Sequence, residues 1–317
     1  MPFYFKKRFN FVLKSTIMVK HIILFYLLFA GFTTAYGKGN SKIIAPGAEI
    51  EKLADGFLFT EGPAVDKQGN VFFTDQPNNR IMKWSTDGIL SIFHESPGRA
   101  NGLYFDKDGN LISCSDMENE IWSIDKNGKH TVLIADFNNK RLNGPNDLWI
   151  DPNGGIYFTD PLYVRDYWTR SPQMQQSGEY VYYLSPDRKS LTTIVTDLEK
   201  PNGIVGSPDG KLLYIADIKA NKTYVYEIQN DGKLTNKRQF APLGSDGMTI
   251  DLDGNIYLTG RGVTVFNSQG EKIAHIPVEA NWTANVCFGG QDMKTLFITA
   301  SQYLYGLRMN VQGSRIK

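Results

Sequence analysis

Residues 146–160 read NDLWIDPNGGIYFTD. An apolar run, LWI, leads into Asp-Pro-Asn-Gly-Gly, and an alternating apolar run, IYFTD, follows. Short apolar runs separated by Asp, Asn and Gly mark a β-hairpin, because those residues accept the positive φ angles that a tight turn needs. The same shape returns as EGPAVDKQGNVFFTD from Glu61, NGLYFDKDGNLISCSD from Asn101, NGIVGSPDGKLLYIAD from Asn202, DGMTIDLDGNIYLTG from Asp246 and NVCFGGQDMKTLFITA from Asn285. Every copy opens on a carboxylate or an amide, 14 or 15 positions before its last residue. The copies end at Asp75, Asp116, Asp160, Asp217, Gly260 and Ala300, so the intervals are 41, 44, 57, 43 and 40. Periods of this length are those of propeller blades.

A second echo follows each copy, in NRIMKWSTDG, NEIWSIDKNG, GEYVYYLSPD, TYVYEIQNDG, GVTVFNSQG and QYLYGLRM. It reads as a third strand. A fourth is visible in ILSIFHE, TVLIAD, LTTIVTD and KIAHIPV. Four strands in each of six units predict an all-β chain, a six-bladed β-propeller with four-stranded blades. The sixth unit ends one strand short, and AEIEKLADG, just before Glu61, has the pattern to supply it. That N-terminal strand would close the ring and remove an exposed sheet edge. A β-sandwich also has regular turns, but six copies in phase argue against it. No amphipathic stretch is long enough for the helices of an α/β fold.

The chain carries 34 Lys and Arg against 33 Asp and Glu. No basic cluster stands out after residue 40, which argues against nucleic acid as a partner. The first 38 residues have a different character. Lys6, Lys7, Arg8, Lys14, Lys20 and His21 precede IILFYLLFAGF, and TTAYGKGN follows. This is the layout of a secretory signal peptide, with an apolar run too short to span a bilayer. Met18 is an alternative start, and cleavage is expected near Gly37. The expectation is therefore a signal peptide over 1–38 and one propeller domain over 39–317. The mature protein would be exported, periplasmic or secreted, with no stable membrane insertion. Export permits a disulfide, but Cys114 and Cys287 fall in blades two and six, too far apart to bridge. Both read as buried apolar residues.

In a propeller the innermost strands line a central channel, and their first residues face one another at one mouth. Glu61, Asn101, Asn146, Asn202, Asp246 and Asn285 would form that ring. Two carboxylates and four amides offer oxygen throughout, which suits a hard divalent cation. No His or Cys belongs to the ring, unlike a typical zinc site. Calcium is favoured, with magnesium, manganese or zinc as alternatives. The block-end aspartates are expected on the same mouth, bonded to loop backbone. His94, His130 and His275 fall on outer strands or turns, away from the chemistry.

The stretches EGPAVD, LNGPNDLWID with GGIYFTDP, KPNGIVGSPDG and SDGMTID resemble, in order, the senescence-marker protein 30, gluconolactonase and lactonase group of six-bladed propellers. The resemblance covers nearly the whole of 39–317. It implies that a glutamate, two asparagines and an aspartate surround a divalent metal, and these map onto Glu61, Asn146, Asn202 and Asp246. Asn101 and Asn285 are left as substrate contacts, alongside Asn146. Animal members carry an arginine two residues before the first of these asparagines, and here that position is Gly144. GPND resembles the bacterial branch instead; Arg99 and Arg141 are the candidate replacements.

The expected function is a metal-dependent hydrolase that opens a sugar lactone. The metal would polarise the carbonyl, with Asp246 as base or nucleophile. A non-enzymatic binding propeller with structural calcium is an alternative, as is another metal-dependent sugar or phosphotriester chemistry at the same site. The longest interval holds an insertion, PLYVRDYWTRSPQMQQSG (161–178). It leaves the ring-bearing mouth, and Tyr163 and its neighbours are suited to cover a sugar-like ligand.

Overall fold

A computed structural model of the protein describes residues 40–314; the signal-peptide reading lies on residues outside these. Apart from one helical turn, Asn40–Ile43, the regular structure described is β. Six separate four-stranded antiparallel sheets follow one another along the chain. Blade one is Thr60–Val65, Val71–Asp75, Arg80–Trp84 and Leu90–Glu95, and blade two is Ala100–Phe105, Leu111–Ser115, Glu120–Ile124 and His130–Ile134. Blade three is Leu148–Ile150, Ile156–Asp160, Tyr180–Leu184 and Leu191–Val195. Blade four is Pro201–Gly206, Leu212–Asp217, Lys222–Ile228 and Leu234–Ala241, and blade five is Met248–Ile250, Ile256–Gly260, Gly262–Phe266 and Lys272–Ile276.

Blade six takes Thr283–Gly289, Thr295–Ala300 and Tyr303–Arg308 from the C-terminal end, and its fourth strand is Glu51–Ala54. Glu51 pairs with Gly306 and Lys52 with Tyr305, antiparallel. The first strand of every blade touches those of both neighbours, so the six inner strands form a closed circle. The expected six-bladed propeller, closed by an N-terminal strand, is the observed one.

In four blades the hairpin between first and second strands is set by its opening aspartate. Asp66 Oδ1 accepts the amides of Gln68 and Asn70, and Asp106, Asp151 and Asp251 repeat the pattern two and four residues on. An Asx turn of this kind leaves one residue at positive φ, which is why a glycine such as Gly69 stands there. The second strands are buried end to end, as in VFFTD, LISCS and IYFTD, because neighbouring blades cover both faces. Aromatic rings stitch the blades together: Phe72 meets Phe105 edge-on at 5.0 Å, and Tyr257 meets Phe288 at 5.3 Å.

Outer strands are wetter. Blade four's, LTNKRQFA, is mostly exposed, so no apolar echo marks it in the sequence; its lysine and arginine protect a sheet edge from further pairing. His94, His130 and His275 all lie on outermost strands, and Cys114 and Cys287 are buried and free.

Candidate active site

Glu61, Asn101 and Asn202 are each the second residue of an inner strand, and Asn285 is the third. Asn146 and Asp246 lie two residues ahead of theirs. The ladder to the second strand breaks at these points. Pairing is irregular between Glu61 and Ala64, Ala100 and Leu103, Pro201 and Ile204, and Thr283 and Asn285. Bulges of this kind re-aim side chains.

The freed backbone groups find other partners, as buried amides must. Gly102 N–H donates to Asn146 O across the blade boundary at 2.7 Å, and Gly247 N–H donates to Ala284 O at 2.8 Å. The threonine of each FTD-like ending joins in. Thr74 Oγ1 donates to Asn101 O, Thr259 Oγ1 to Gly247 O and Ala284 O, and Thr299 Oγ1 to Asn285 O. The crowding explains the glycine after most ring residues. A Cβ on Gly102 would lie 2.6 Å from Asn146 O, and one on Gly247 1.9 Å from Asn285 Cγ.

Asn202 Nδ2 donates to Asp246 Oδ1 at 2.9 Å and to Tyr163 Oη at 3.0 Å. Asn202 Oδ1 is buried without a partner. Trp282 Nε1 donates to Asp246 Oδ2 at 2.6 Å. Glu61, 4 % exposed, bonds only the adjoining Gly62 amide. The buried side chains of Asn101 and Asn146 have no hydrogen-bond partner among the described residues. Burial pushes the Glu61 carboxyl well above its usual range, and the charges of Asp246 and Asp147 add to the effect, while Arg165 opposes it. Burial also raises Asp246, against the hydrogen bonds from Trp282 and Asn202 and the charge of Arg165.

Asp147 is the acid that spacing does not point to. It occupies the place after the ring residue where four blades have glycine, and the Asn285 amide reaches it at 3.4 Å. Blades three and six are opposite, so this bond crosses the channel. Burial pushes the Asp147 carboxyl up to about 7, against bonds from the Leu148 amide, Asn285 and the Ile204 amide. Asp147 and Asn285 also line a cavity of about 710 Å³ that extends to the turns at Asp106, Asp151 and Asp209, on the opposite mouth. Its walls hold apolar residues and turns rather than the Glu61–Asp246 pair.

The block-end aspartates organise the loops of the ring mouth. Asp75 accepts the Leu58 amide, Asp160 those of Asn143 and Gly144, and Asp217 those of Glu199, Lys200 and Ala220. Asp116 instead takes the insertion, through Tyr167 Oη at 3.3 Å and Trp168 Nε1 at 3.2 Å. Arg170 donates to Asp116 O and Asn143 O. Arg141 donates to the Ser171 and Gln173 carbonyls, so it pins the insertion rather than reaching the ring. Arg99 stacks on Tyr167 at 4.2 Å and donates to Pro77 O. A Cβ at Gly144 would lie 2.6 Å from Asp116 Oδ1 and 3.4 Å from Arg170 Nη2, so a side chain there collides with the blade-two aspartate.

A family model described as SMP-30/gluconolactonase/LRE-like region matches residues 59–302. The chain belongs to this family. A gluconolactonase of Zymomonas mobilis is 29 % identical, over 89 % of this chain and 87 % of its own length. Lactonase drp35 of Staphylococcus aureus is 31 % identical over 73 % of this chain and 72 % of its own. The structure of a gluconolactonase from Xanthomonas campestris superposes with a TM-score of 0.79 at 29 % identity, covering 84 % of this chain and 91 % of that one. The SMP-30/gluconolactonase membership fits a donor set made of acids and amides. Among the described residues no three His, Cys, Asp or Glu side chains gather as a metal cluster, so a cation here needs amide oxygens beside two acids. Asn202 Oδ1, buried and unpartnered, is such an oxygen, and the mutual repulsion of Glu61 and Asp246 is relieved by positive charge. Trp282 and Asp147 were not legible as site residues by spacing, because each reaches a ring residue from outside the repeat's opening position.

Proposed function

We propose that the protein is a lactonase of gluconolactonase type that opens a sugar lactone with a divalent cation, calcium best matching the donors, held by Glu61, Asn146, Asn202 and Asp246. The observation that carries this reading is the orphaned Asn202 oxygen beside two carboxylates that burial destabilises as anions. Buried acceptors without donors call for a cation. The lactonase activities of the Zymomonas and Staphylococcus relatives support the reaction class. When bound, the cation supplies polarisation of the lactone carbonyl and stabilises the developing oxyanion.

The chain's own residues do the rest. Both Asp246 oxygens are held, one by Asn202 and one by Trp282, which aims the carboxylate. Held in this way, the carboxylate is placed to accept a proton. It takes the proton of the attacking water as the C–O bond to carbon forms. The ring C–O bond then breaks, Asp246 returns the proton to the leaving alkoxide, and a hydroxy acid results. Tyr163, bonded to Asn202, brings the insertion to the edge of the ring and is a contact for the sugar, together with Asn101. Asn285 Nδ2 donates to Asp147 Oδ2 at 3.4 Å across the channel, at the inner end of the same site.

Asp246→Asn is the test. We expect turnover of glucono-1,5-lactone to fall by about 10²–10⁴-fold, with the folded structure kept by circular dichroism. Loss of stability with turnover unchanged would favour a structural metal in a binding propeller. Assays run after chelation, then with calcium, magnesium, manganese or zinc restored, identify the ion. Export through residues 1–38 belongs to the same proposal, and cell fractionation tests it.

A further inference from the structure

Arg165 lies in the insertion, and its surroundings are unusual for an arginine. Its Nε is buried without a partner, and its guanidinium makes no hydrogen bond or ion pair among the described residues. The ring of Tyr163 lies 5.2 Å from its centre. Its charge is nonetheless felt by Glu61, Asp246 and Asp116. Its Nη groups are not among the buried unpartnered atoms, so their donors face the open mouth and are free to meet a ligand.

Both flanks of the residue are clamped, so its position is preset. On one side Tyr163 accepts from Asn202, Lys200 Nζ lies 4.5 Å from the tyrosine ring, and Lys200 also donates to Leu162 O at 2.9 Å. On the other, Tyr167 is held between Asp116 and Arg99. Trp168 N–H closes the intervening turn onto Arg165 O at 3.0 Å. Such preorganisation lowers the cost of ordering on binding.

Charge bookkeeping points to the partner. Glu61 and Asp246 together balance one divalent cation, and the Arg165 guanidinium then stands beside that cation with no ion-pair partner among the described residues. An anionic group of a ligand can meet it, whereas a neutral lactone offers no charge to it. The guanidinium fork matches a carboxylate in two parallel hydrogen bonds.

We propose that Arg165 is a specificity-determining residue that takes a carboxylate of the ligand, so that this site binds hydroxy-carboxylates and favours lactones bearing an acid group over neutral ones. The inference rests on the lactonase reading, because it supplies the hydroxy acid as the product of ring opening.

The experiment uses the full-length chain loaded with calcium. Binding of D-gluconate and of neutral D-glucitol is measured by calorimetry for the parent, Arg165→Met and Arg165→Lys proteins, with thermal midpoints recorded for each. We expect Arg165→Met to weaken gluconate by about 10-fold or more while glucitol is unchanged. Arg165→Lys keeps the charge and loses the fork, so it should fall between, and it serves alone if the methionine variant does not fold. Equal weakening of both ligands would make Arg165 a packing residue, and no change in either would exclude the contact; both overturn the proposal. Hydrolysis of glucono-1,5-lactone by the parent is recorded in parallel. Hydrolysis with an Arg165-insensitive anion preference sinks this inference and leaves the lactonase standing. Absence of hydrolysis sinks the lactonase, while the gluconate-to-glucitol ratio still judges Arg165.

Discussion

Trp282 reaches Asp246 with one hydrogen bond of 2.6 Å from outside the repeated motif. A hydrogen bond to an ionised carboxylate contributes about 1.5–3 kcal/mol. It also favours the charged form, so its loss raises the acid's pKa. Trp282→Phe should therefore lower kcat/KM by about 10-fold and move the acid limb of the pH profile to higher pH. A profile that drops without shifting would mean that the indole only packs. Glu61 and Asn202 were legible from their place in the motif, because a side chain returning at one phase of a repeat shares one location. Asp147 was not, since its neighbour Asn146 already fills that phase, and only the cross-channel bond from Asn285 reveals it. Arg141 shows the converse: a cation adjacent in sequence to the right motif, whose Nη2 bonds run to the insertion.

At the scale of the strand, the site depends on how closely the inner strands approach. Four of six ring residues are followed by glycine because the next blade's backbone or side chain fills the Cβ position. Gly247→Ala would force a methyl into the Asn285 amide, and overpacking of this order costs about 1–3 kcal/mol. Urea unfolding should show that loss. The double substitution Gly247→Ala with Asn285→Ala should recover part of it, since the colliding atoms are gone. Additive losses would place the strain elsewhere. The insertion follows another logic. Asp160 and Asp217 bind loop amides, but Asp116 is turned to Tyr167 and Trp168, so one copy of a repeated device has been adapted to hold a strap over the mouth.

Across the whole molecule, several carboxylates are buried with raised pKa values: Glu61 and Asp246 at the ring, and Asp147 and Asp160, both pushed up to about 7. A carboxyl whose pKa is higher folded than unfolded binds more protons in the folded state between the two values. Stability then falls as pH rises through that window. Chelated protein should thus lose denaturant resistance from about pH 4 to about pH 7. Saturating calcium should flatten the slope, because a cation at the ring removes the penalty on Glu61 and Asp246. Parallel slopes with and without calcium would show that no cation is held there. Closure acts at this scale as well. Glu51–Ala54 pairs with the last strand, so blade six is complete only when both ends of the propeller meet.

The sequence by itself determined the number of blades, their strands apart from blade four's outermost, the closing strand and the six opening residues of the ring. These are properties of a repeat, and a repeat is visible wherever local turn chemistry and alternation recur in register. Blade four's outer strand escaped because an exposed edge needs no apolar pattern. Only the tertiary structure decided which neighbours complete each ring residue. Trp282 meets Asp246 across 36 residues, and Asn285 meets Asp147 across 138. It also set Arg165 near the acids and left the Asn202 oxygen without a donor. Contacts of that kind depend on the closure of the circle and the path of the insertion, and no local pattern encodes either.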